Sequence, residues 1–311
     1  MNLYKPEGSL ISTFKNKEAL STEENLIRAY EIGSVLESNV TVCDKGLNLY
    51  VDLNDKIRGI IPKEEVVLSQ SGELTKDIAI LTRVGKPVCF KIIGFKKKEN
   101  GEKIAVLSRR AAQLDCVENY INKLIPGDII PCKVTHIEKF GAFCDIGCGI
   151  ISLLSIDSIS VSRITHPSAR LKIGESIFTV VKSIDEKGRV FLSSKELLGT
   201  WEENAELFTE GQTVRGVVRS IESYGIFIEL TPNLAGLAEY KEGVYEGQAA
   251  AVYIKSILPE KMKIKLINID AENTTVAPTP LKYFVETSKG AHLNCWNYSP
   301  KLAKKKVETV F

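Results

Sequence analysis

The chain has 311 residues, of which 44% are hydrophobic and 26% are charged, a composition that excludes extensive disorder and, at this length, predicts about two or three domains. Lysine and arginine number 41 against 39 acidic residues, so any affinity for nucleic acid has to come from local clusters of positive charge. No apolar run is long enough to cross a bilayer, and the first twenty residues lack the apolar centre of a signal peptide, so we expect a cytoplasmic protein.

The N-terminal third is predicted to hold a helical arm and a first domain. Residues 1–31 form the arm, because Thr22 is followed by acidic and polar residues and then by apolar residues at helical spacing. Residues 32–111 form the first domain. Its five segments typical of short strands are GSVLESNVTV, LNLYVDL, RGII, VGKPVCFKIIGF and KIAVLSRR.

The same order of landmarks recurs twice more along the chain. A linker helix is predicted at 112–125, a second domain at 126–198, another linker helix at 199–209, and a shorter third domain at 210–270. FGAFCDI (140–146) and YGIFIEL (224–230) occupy the same place in the two copies, 84 residues apart. Third strands are predicted to begin at Arg58, Cys148 and Ala235.

Five short strands per copy, without crossover helices between them, indicate the fold class. Strands rich in Val, Ile and Phe and broken by glycine and charged turns favour small barrels over a parallel sheet. We therefore predict a mainly β protein with connecting helices, built from three tandem five-stranded OB-type barrels. Each copy is small enough for its own core to be marginal, so contacts with other parts of the chain should add stability.

The stretch IEKFGAFCDIG (137–147) places a glycine inside a predicted strand, where it usually marks a bulge or a close approach of another backbone. One bulge residue between Phe140 and Phe143 would turn both rings to the same face. We therefore expect Gly141 to sit in a bulge that builds an aromatic platform. Tyr224 and Phe227 repeat the arrangement in the third domain.

Residues 271–311 are predicted to form a C-terminal extension. The sequence favours a strand pair around Ser288 to Gly290, followed by a basic end at Lys304 to Lys306. Trp296 and Tyr298 have two possible roles, stacking on bases or packing against the third barrel, and packing is the favoured one.

The seven cysteines are scattered and form no CxxC pair, which is typical of reduced thiols in a core. Cys144 and Cys148 are close in sequence, but no second pair or histidine follows at zinc-finger spacing. We therefore expect neither a metal site nor a cofactor.

Residues 126–208 resemble the S-one domain, the RNA-binding OB repeat named after the largest protein of the bacterial small ribosomal subunit. The motifs that carry the resemblance are, in order, Gly127, FGAF (140–143), DIG (145–147), RITHPS (163–168), KIGE (172–175), IDEKGRVFLSSKE (184–196) and WEEN (201–204). The third domain resembles the family through YGIF and GLAE but lacks the RITHPS loop. The first is the weakest match and is degenerate, without the paired aromatics. Together the resemblance covers residues 32–270 and implies a bacterial protein.

The resemblance implies binding of single-stranded RNA on a face formed chiefly by the second and third strands. The family's two aromatics fall on Phe140 and Phe143, and on Tyr224 and Phe227. Its third-strand histidine falls on Ser152, Glu239 and Pro62, so all three domains have lost it. Its acid and arginine near the fifth strand fall on Asp185 and Arg189, a pair that serves equally well to brace the turn IDEKGR.

Basic residues around the aromatics are candidates for phosphate contacts. In the second domain they include Lys139, Arg163 and His166, although His166 before a proline also serves to order its loop. In the third domain they include Arg219 and Lys263. Because surface lysines are usually only solvated, the prediction concerns their sum and not each residue.

Three functions compete. The first is non-enzymatic binding of single-stranded RNA in translation or RNA metabolism, with a ribosomal-protein-like role. The second is a protein-docking adaptor, with the ribosome or other RNA-machinery proteins as partners, that uses the degenerate first domain. An enzyme is the weakest candidate, since the sequence holds no phosphate-binding loop, dinucleotide fingerprint or HExxH, and only three histidines.

Overall fold

The computed structural model describes residues 4–68, 76–97, 101–276, 280–288 and 290–311. It forms two compact units, one of Met1–Leu124 with Asp145–Ile151 and one of Ile125–Cys144 with Ser152–Phe311. The strands form three closed five-stranded barrels, so the predicted fold class is confirmed. Within the described residues, no helix is long and apolar enough to span a membrane.

The first unit begins with two short helices, α1 (Phe14–Ser21) and α2 (Glu23–Glu31). Each starts at a threonine whose hydroxyl accepts a backbone N–H three residues on, because the first N–H groups of a helix lack partners inside it. Barrel 1 follows with strands β1 (Leu36–Cys43), β2 (Leu49–Asp52), β3 (Arg58–Ile61), β4 (Pro87–Lys97) and β5 (Lys103–Ser108). Helix α3 (Asp77–Leu81) precedes β4, and α4 (Arg109–Asn119) follows β5.

All three barrels share one topology. In barrel 1 the order is β1-β2-β3-β5-β4, with β3 and β5 parallel and the remaining neighbours antiparallel. Apolar side chains of alternate strand positions fill its interior, where Leu49, Val51 and Ile61 are fully buried.

A buried charged cluster in the first unit joins the N-terminal segment to α4. Arg109 forms a bidentate pair with Glu7, with Nε to Oε1 at 2.7 Å and Nη2 to Oε2 at 3.0 Å. Arg83 adds a third bond to Glu7 at 3.5 Å, and Asp145 accepts the backbone N–H of Glu7 at 2.7 Å. Burial alone would raise the pKa of Glu7, but Arg109 lowers it below its usual value. Burial, and then the charge of Glu7, raise the pKa of Asp145 to about 7, so this second acid carries only part of a negative charge at neutral pH.

The second unit contains barrels 2 and 3. Barrel 2 comprises β6 (Ile129–Glu138), β7 (Gly141–Asp145), β8 (Ile151–Ser155), β9 (Ser176–Ile184) and β10 (Val190–Ser193). Helix α5 (Trp201–Ala205) leads to barrel 3, which comprises β11 (Thr213–Glu222), β12 (Gly225–Thr231), β13 (Leu234–Ala238), β14 (Gln248–Leu258) and β15 (Lys263–Thr275). The domain boundaries predicted from the sequence remain a proposal.

Several element boundaries differ from those predicted. The linker helices predicted at 112–125 and 199–209 are Arg109–Asn119 and Trp201–Ala205, and the third strand of barrel 3 begins at Leu234. The third strand of barrel 2 begins at Ile151 and not at Cys148, because Cys148 (φ 50°) and Gly149 (φ 74°) adopt left-handed backbone conformations that end the preceding extended chain. The fifth strand of barrel 3 continues to Thr275, beyond the predicted end of the domain at residue 270.

The C-terminal extension pairs β16 (Cys295–Asn297) with β17 (Glu308–Val310). The predicted strand pair around Ser288 to Gly290 is wrong: the described residues there are not strands, and Lys289 lies outside them. The strand forms further along because Trp296 and Tyr298 are buried in the core of barrel 3, and the carbonyl of Tyr298 accepts the N–H of Trp201 at 2.9 Å. The favoured packing role of Trp296 and Tyr298 is confirmed.

Two equivalent glycines open the second strands of barrels 2 and 3, at a point where the third strand lies very close. A Cβ atom on Gly141 would lie 2.5 Å from the carbonyl oxygen of Leu154, and one on Gly225 would lie 2.5 Å from that of Ala238. These positions therefore exclude any side chain, because a backbone oxygen cannot move aside as a flexible side chain can.

The bulge predicted at this glycine is wrong. In barrel 3 the pairs Ile221↔Ile226 and Glu222↔Gly225 are in regular register, and the register shift lies in β11, between Val218 and Ser220. In barrel 2, Phe140 directly before Gly141 is in a turn and not in a strand. The alternation of side chains along a strand therefore does not decide which way Phe140 points relative to Phe143. Glycine is needed for close approach to the third strand and not for a bulge.

Substitution of Gly141 by valine should destabilise barrel 2. The added atoms overlap the third-strand backbone, and overpacking of this kind typically costs about 1–3 kcal/mol. Thermal unfolding of the full chain measures the effect. Gly94→Val is the matched control, because Gly94 is also in a strand but has no atom within 4 Å of its Cβ position. Equal melting temperatures for the two variants would contradict the packing argument.

Candidate nucleic-acid interface

The hairpins that join the first and second strands of barrels 2 and 3 present one aromatic residue each at the turn. Lys139 and Phe140 form the two-residue turn between β6 and β7, and Ser223 and Tyr224 form the turn between β11 and β12. Because a turn residue points away from the barrel core, Phe140 is 54% exposed and Tyr224 is 68% exposed. Lys139, beside Phe140, is also exposed.

A second aromatic ring on the second strand packs against each turn aromatic. The ring centroids of Phe140 and Phe143 are 6.0 Å apart at an interplanar angle of 89°, and those of Tyr224 and Phe227 are 6.2 Å apart at the same angle. This edge-to-face arrangement is favoured for aromatic pairs. Phe143 and Phe227 are half-buried, so each pair offers a fixed apolar surface to solvent.

His136, which was not among the predicted site residues, extends the aromatic platform of barrel 2. Its ring stacks on Phe143 with centroids 6.2 Å apart and planes 24° apart, and its Nε2 is 2.7 Å from the Glu138 carboxylate. A signal was present in the sequence: His136 and Phe143 are equally far from the centre of the two-residue turn, which makes them cross-strand neighbours. The equivalent pair in barrel 3 is Ser220↔Phe227.

The cross-strand registers define one row of outward-facing residues per barrel, which we call the platform row. Its members are Val42, Tyr50, Ile60 and Val106 in barrel 1, His136, Phe143, Leu153 and Phe191 in barrel 2, and Ser220, Phe227, Leu237 and Lys265 in barrel 3. The row is aliphatic apart from Tyr50 in barrel 1, aromatic in barrel 2, and mixed aromatic and basic in barrel 3.

The residue assigned to the family's third-strand histidine in barrel 2 was wrong. Ser152 is 3% exposed and donates its hydroxyl to the Val190 carbonyl, so it faces inward. Leu154 approaches Gly141 as Ala238 approaches Gly225, which makes Ser155, and not Ser152, the equivalent of Glu239. The tight turn before β8 delays the start of this strand, and the sequence pattern therefore suggested the wrong register.

Asp185 and Arg189 brace the turn between β9 and β10. One oxygen of Asp185 accepts the backbone N–H groups of Lys187 and Arg189, and the other accepts Arg189 Nε at 2.7 Å. The bonds from the backbone and the guanidinium of Arg189 hold the pKa of Asp185 below its usual value. The Arg189 side chain is nevertheless 59% exposed, so its outer edge reaches solvent.

The loop that carries Arg163 and His166 is ordered by its own contacts. His166 Nδ1 accepts the N–H of Ser168 at 3.2 Å and lies 2.7 Å from its hydroxyl, in the loop-ordering role allowed by the sequence. Arg163 is exposed.

The two basic residues predicted in barrel 3 differ in environment. Arg219 is 16% exposed and forms a bidentate pair with the buried Glu229. Lys263 is exposed at the start of β15, on the same face as Lys265 of the platform row, because side chains two apart on a strand share a face. Of the two, Lys263 is therefore the one that is open to a ligand, together with Lys265.

Within the described part of the chain, no group of three or more histidine, cysteine or acidic residues is arranged to hold a metal ion. All seven cysteines are free thiols. Exposed ring faces, ammonium groups and guanidinium groups of barrels 2 and 3 can stack and pair with negative charge.

Three closed five-stranded barrels of one topology, two of them with outward aromatic pairs, make this a tandem OB-fold protein. Residues 29–107 and 123–195 match the family model described as S1 RNA binding domain. These two segments cover nearly all of barrel 1 and all of barrel 2, so the first domain, whose motifs were weakest, is among the segments similar to the family.

The relatives are bacterial ribosomal proteins. The small ribosomal subunit protein bS1 of Staphylococcus aureus (strain COL) is 27% identical over 278 residues, which cover 87% of this chain and 67% of the relative. The small ribosomal subunit protein bS1 homolog of Bacillus subtilis (strain 168) is 27% identical over 288 residues, covering 87% of this chain and 72% of the relative. The chain is thus homologous to the bS1 proteins.

A solved structure from Streptococcus pneumoniae, of a multidomain protein with nucleic acid binding domains, covers 75% of this chain and 72% of its own, with 16% identity and a TM-score of 0.25. This similarity is too low to carry a functional argument.

Replacement of Asp185 by alanine should loosen the turn between β9 and β10. The variant loses the oxygen that accepts two backbone N–H groups and the partner of the Arg189 guanidinium, and we expect a small decrease in melting temperature, about 2 °C. Glu186→Ala is the control, because Glu186 is the exposed neighbour in the same turn. If the two variants melt together, Asp185 does not brace the turn.

Proposed function

We propose that this protein is a non-enzymatic binder of single-stranded RNA, with a role related to the ribosome in translation or RNA metabolism. The observation that carries the proposal is the pair of outward edge-to-face aromatic platforms on barrels 2 and 3, with an exposed lysine in the turn of barrel 2 and exposed lysines across the sheet in barrel 3. Such platforms suit single strands because every base has a π-face, and a stacked base contributes roughly 1–3 kcal/mol. Preference for particular bases should be slight for the same reason.

The proposed contacts of barrel 2 centre on Phe140 and Phe143, with His136 as an added ring. Lys139 in the turn and the exposed edge of Arg189 supply positive charge, and Arg163 and His166 do so from their loop. Each phosphate neutralised by such residues releases counterions and makes binding weaker at high salt. Because Asp185 is already bonded by Arg189, we propose that it positions this arginine and does not contact a ribose.

The proposed contacts of barrel 3 are Tyr224 and Phe227, followed across the sheet by Lys265 and Lys263. Leu237 lies between Phe227 and Lys265 across the sheet, so the ammonium group of Lys265 is two strands away from the Phe227 ring. A base stacked on Phe227 and a phosphate near Lys265 fit this separation. Arg219 lies at the edge of this surface, where Glu229 bonds to its Nε and Nη2 and leaves it 16% exposed.

The ribosomal part of the proposal is supported by the names of the relatives, which are small ribosomal subunit proteins. We propose a cytoplasmic location, a bacterial ribosome or its RNA as the target, and neither catalysis nor a cofactor.

The double variant Phe140→Ala, Phe143→Ala should lose affinity for single-stranded RNA. Two lost stacking contacts correspond to a decrease of at least about 30-fold in the association constant. Fluorescence anisotropy of a labelled single strand against the full chain measures this, with double-stranded RNA in parallel. Over a salt series the wild-type affinity should fall log-linearly, by about 0.7 in slope for each phosphate engaged.

Ile173→Ala is the matched control for surface apolarity, because Ile173 is 65% exposed in barrel 2 and is not in the platform row. Equal affinity of the double variant and the wild type, with both folded, would refute the stacking platform of barrel 2.

A protein-docking role for barrel 1 is a second candidate, favoured by the aliphatic character of its platform row. Val42, in the place of His136, is 54% exposed, and the hydroxyl of Tyr50 bonds to Asp44 at 3.2 Å. Because this row offers no aromatic pair for bases, we propose that it serves attachment to a ribosomal or other RNA-machinery protein, while barrels 2 and 3 hold RNA.

Val42→Asp should then weaken co-sedimentation of the full chain with small ribosomal subunits while leaving anisotropy with free single-stranded RNA unchanged. A charge on the apolar row opposes burial against a partner, which is the reason for the expected loss. Ile78→Asp is the control, since Ile78 is 62% exposed in the same unit and lies outside the row. Wild-type co-sedimentation by Val42→Asp would exclude docking through this row.

A further inference from the structure

A loop of barrel 2 packs against barrel 3 inside the second unit. In residues 161–170, the N–H of Val161 donates to Asn233 Oδ1 at 3.0 Å and the N–H of Ser162 donates to the Pro232 carbonyl at 3.2 Å. At the end of the loop, Arg170 reaches Glu229 of β12. The two barrels are therefore joined at a charged contact as well as through the backbone.

This contact is a buried cluster of two arginines and one acid, which we call the junction cluster. Arg170 Nη2 and Arg219 Nε donate to the same oxygen of Glu229, and Arg219 Nη2 donates to the other at 3.1 Å. The exposed side-chain fractions are 4% for Arg170, 7% for Glu229 and 16% for Arg219. One carboxylate thus serves two guanidinium groups.

The charge of the junction cluster is not balanced. Burial, and then the charge of Arg219, lower the pKa of Arg170, and Glu229 is the group that opposes them. Arg170 Nε is also buried without an acceptor among the described residues. An uncompensated buried charge and an unbonded buried donor are both unfavourable, so the cluster lacks an anion.

The first unit contains a comparable cluster with one more carboxyl group. Arg83 and Arg109 both bond to Glu7 there, and Asp145 accepts the backbone N–H of Glu7. The junction cluster has no second acid of this kind among its printed bonds.

We propose that the junction cluster is an anion site that takes one backbone phosphate of RNA lying across barrels 2 and 3. The inference rests on the proposed function, because it extends the RNA path from one platform to the other. Arg219 is the entrance, since it is the most exposed member and its bonds to Glu229 use only Nε and Nη2. Arg219 also directly precedes Ser220 of the platform row, which places the cluster at the edge of the platform row of barrel 3. Guanidinium groups favour phosphate as a ligand.

The first test uses the full chain without RNA and inorganic phosphate as the probe. Melting temperatures are compared in sodium phosphate and sodium chloride at equal ionic strength and pH 7, for the wild type, Arg219→Gln and Arg215→Gln. Arg215 is exposed on the same strand, so its substitution removes the same charge away from the cluster. Phosphate should raise the melting temperatures of the wild type and Arg215→Gln equally and leave that of Arg219→Gln unchanged.

The second test measures binding of single strands of about 5 and about 16 nucleotides, lengths near the two ends of the range for one OB fold. With the longer strand, Arg219→Gln should reduce the slope of log affinity against log salt by about 0.7, the value for one phosphate. With the shorter strand, which occupies one platform, the slope should not change.

An equal phosphate response in all three proteins would overturn the anion site. A phosphate response lost in Arg219→Gln with an unchanged slope on the longer strand would overturn the assignment to RNA and leave a site for free phosphate. If Arg219→Gln does not fold, Arg219→Lys replaces it, with a reduced phosphate response expected because lysine lacks the planar fork. Failure of the proposed function would give a different result, because the Phe140→Ala, Phe143→Ala variant would then bind RNA as the wild type does.

Discussion

The surfaces of barrels 2 and 3 depend on one backbone constraint, the close approach of the second strand to the third at Gly141 and Gly225. At both glycines a carbonyl oxygen of the third strand occupies the space of a side chain. The hairpin can therefore close in two residues directly before the glycine, and the second turn residue is an exposed aromatic. That ring meets the aromatic two residues beyond the glycine at nearly a right angle. The platform is a consequence of where the turn lies and requires no distortion of the strand.

The three barrels share one fold but present three different surfaces. Strand register places the residues of the platform row on the outside of each barrel, where core packing does not restrict their type. Inward positions are mostly apolar in all three copies, because a small barrel closes around a packed core. Outward positions carry no such demand, so the residue opposite the strand aromatic is Val42, His136 or Ser220. A chain of repeats can therefore keep one fold while one copy changes from stacking bases to contacting a protein.

Buried charge distinguishes the two units. Around Glu7 the first unit brings together two guanidinium groups and two carboxyl groups, and their bonds fix the N-terminal segment. Between barrels 2 and 3, Glu229 alone faces Arg170 and Arg219. Barrels 2 and 3 are further joined by Asn233, which accepts from the loop of barrel 2 and donates to the carbonyls of Lys195 and Gly199. A ligand bound by both barrels would therefore meet a fixed arrangement of contacts.

The sequence by itself determined the three repeats, their five strands, the mainly β class and the aromatic pairs, because strand periodicity, glycine spacing and an offset of 84 residues (140 to 224) are local properties of the chain. It did not determine which residues meet across strands. His136 on Phe143 and Ser155 in place of Ser152 depend on strand register, in which a shift of one position changes the face of every side chain. Glu229 between two arginines depends also on a contact with Arg170, which is far away in sequence. Tertiary structure decided these, because register and burial are fixed only when the barrels close and pack.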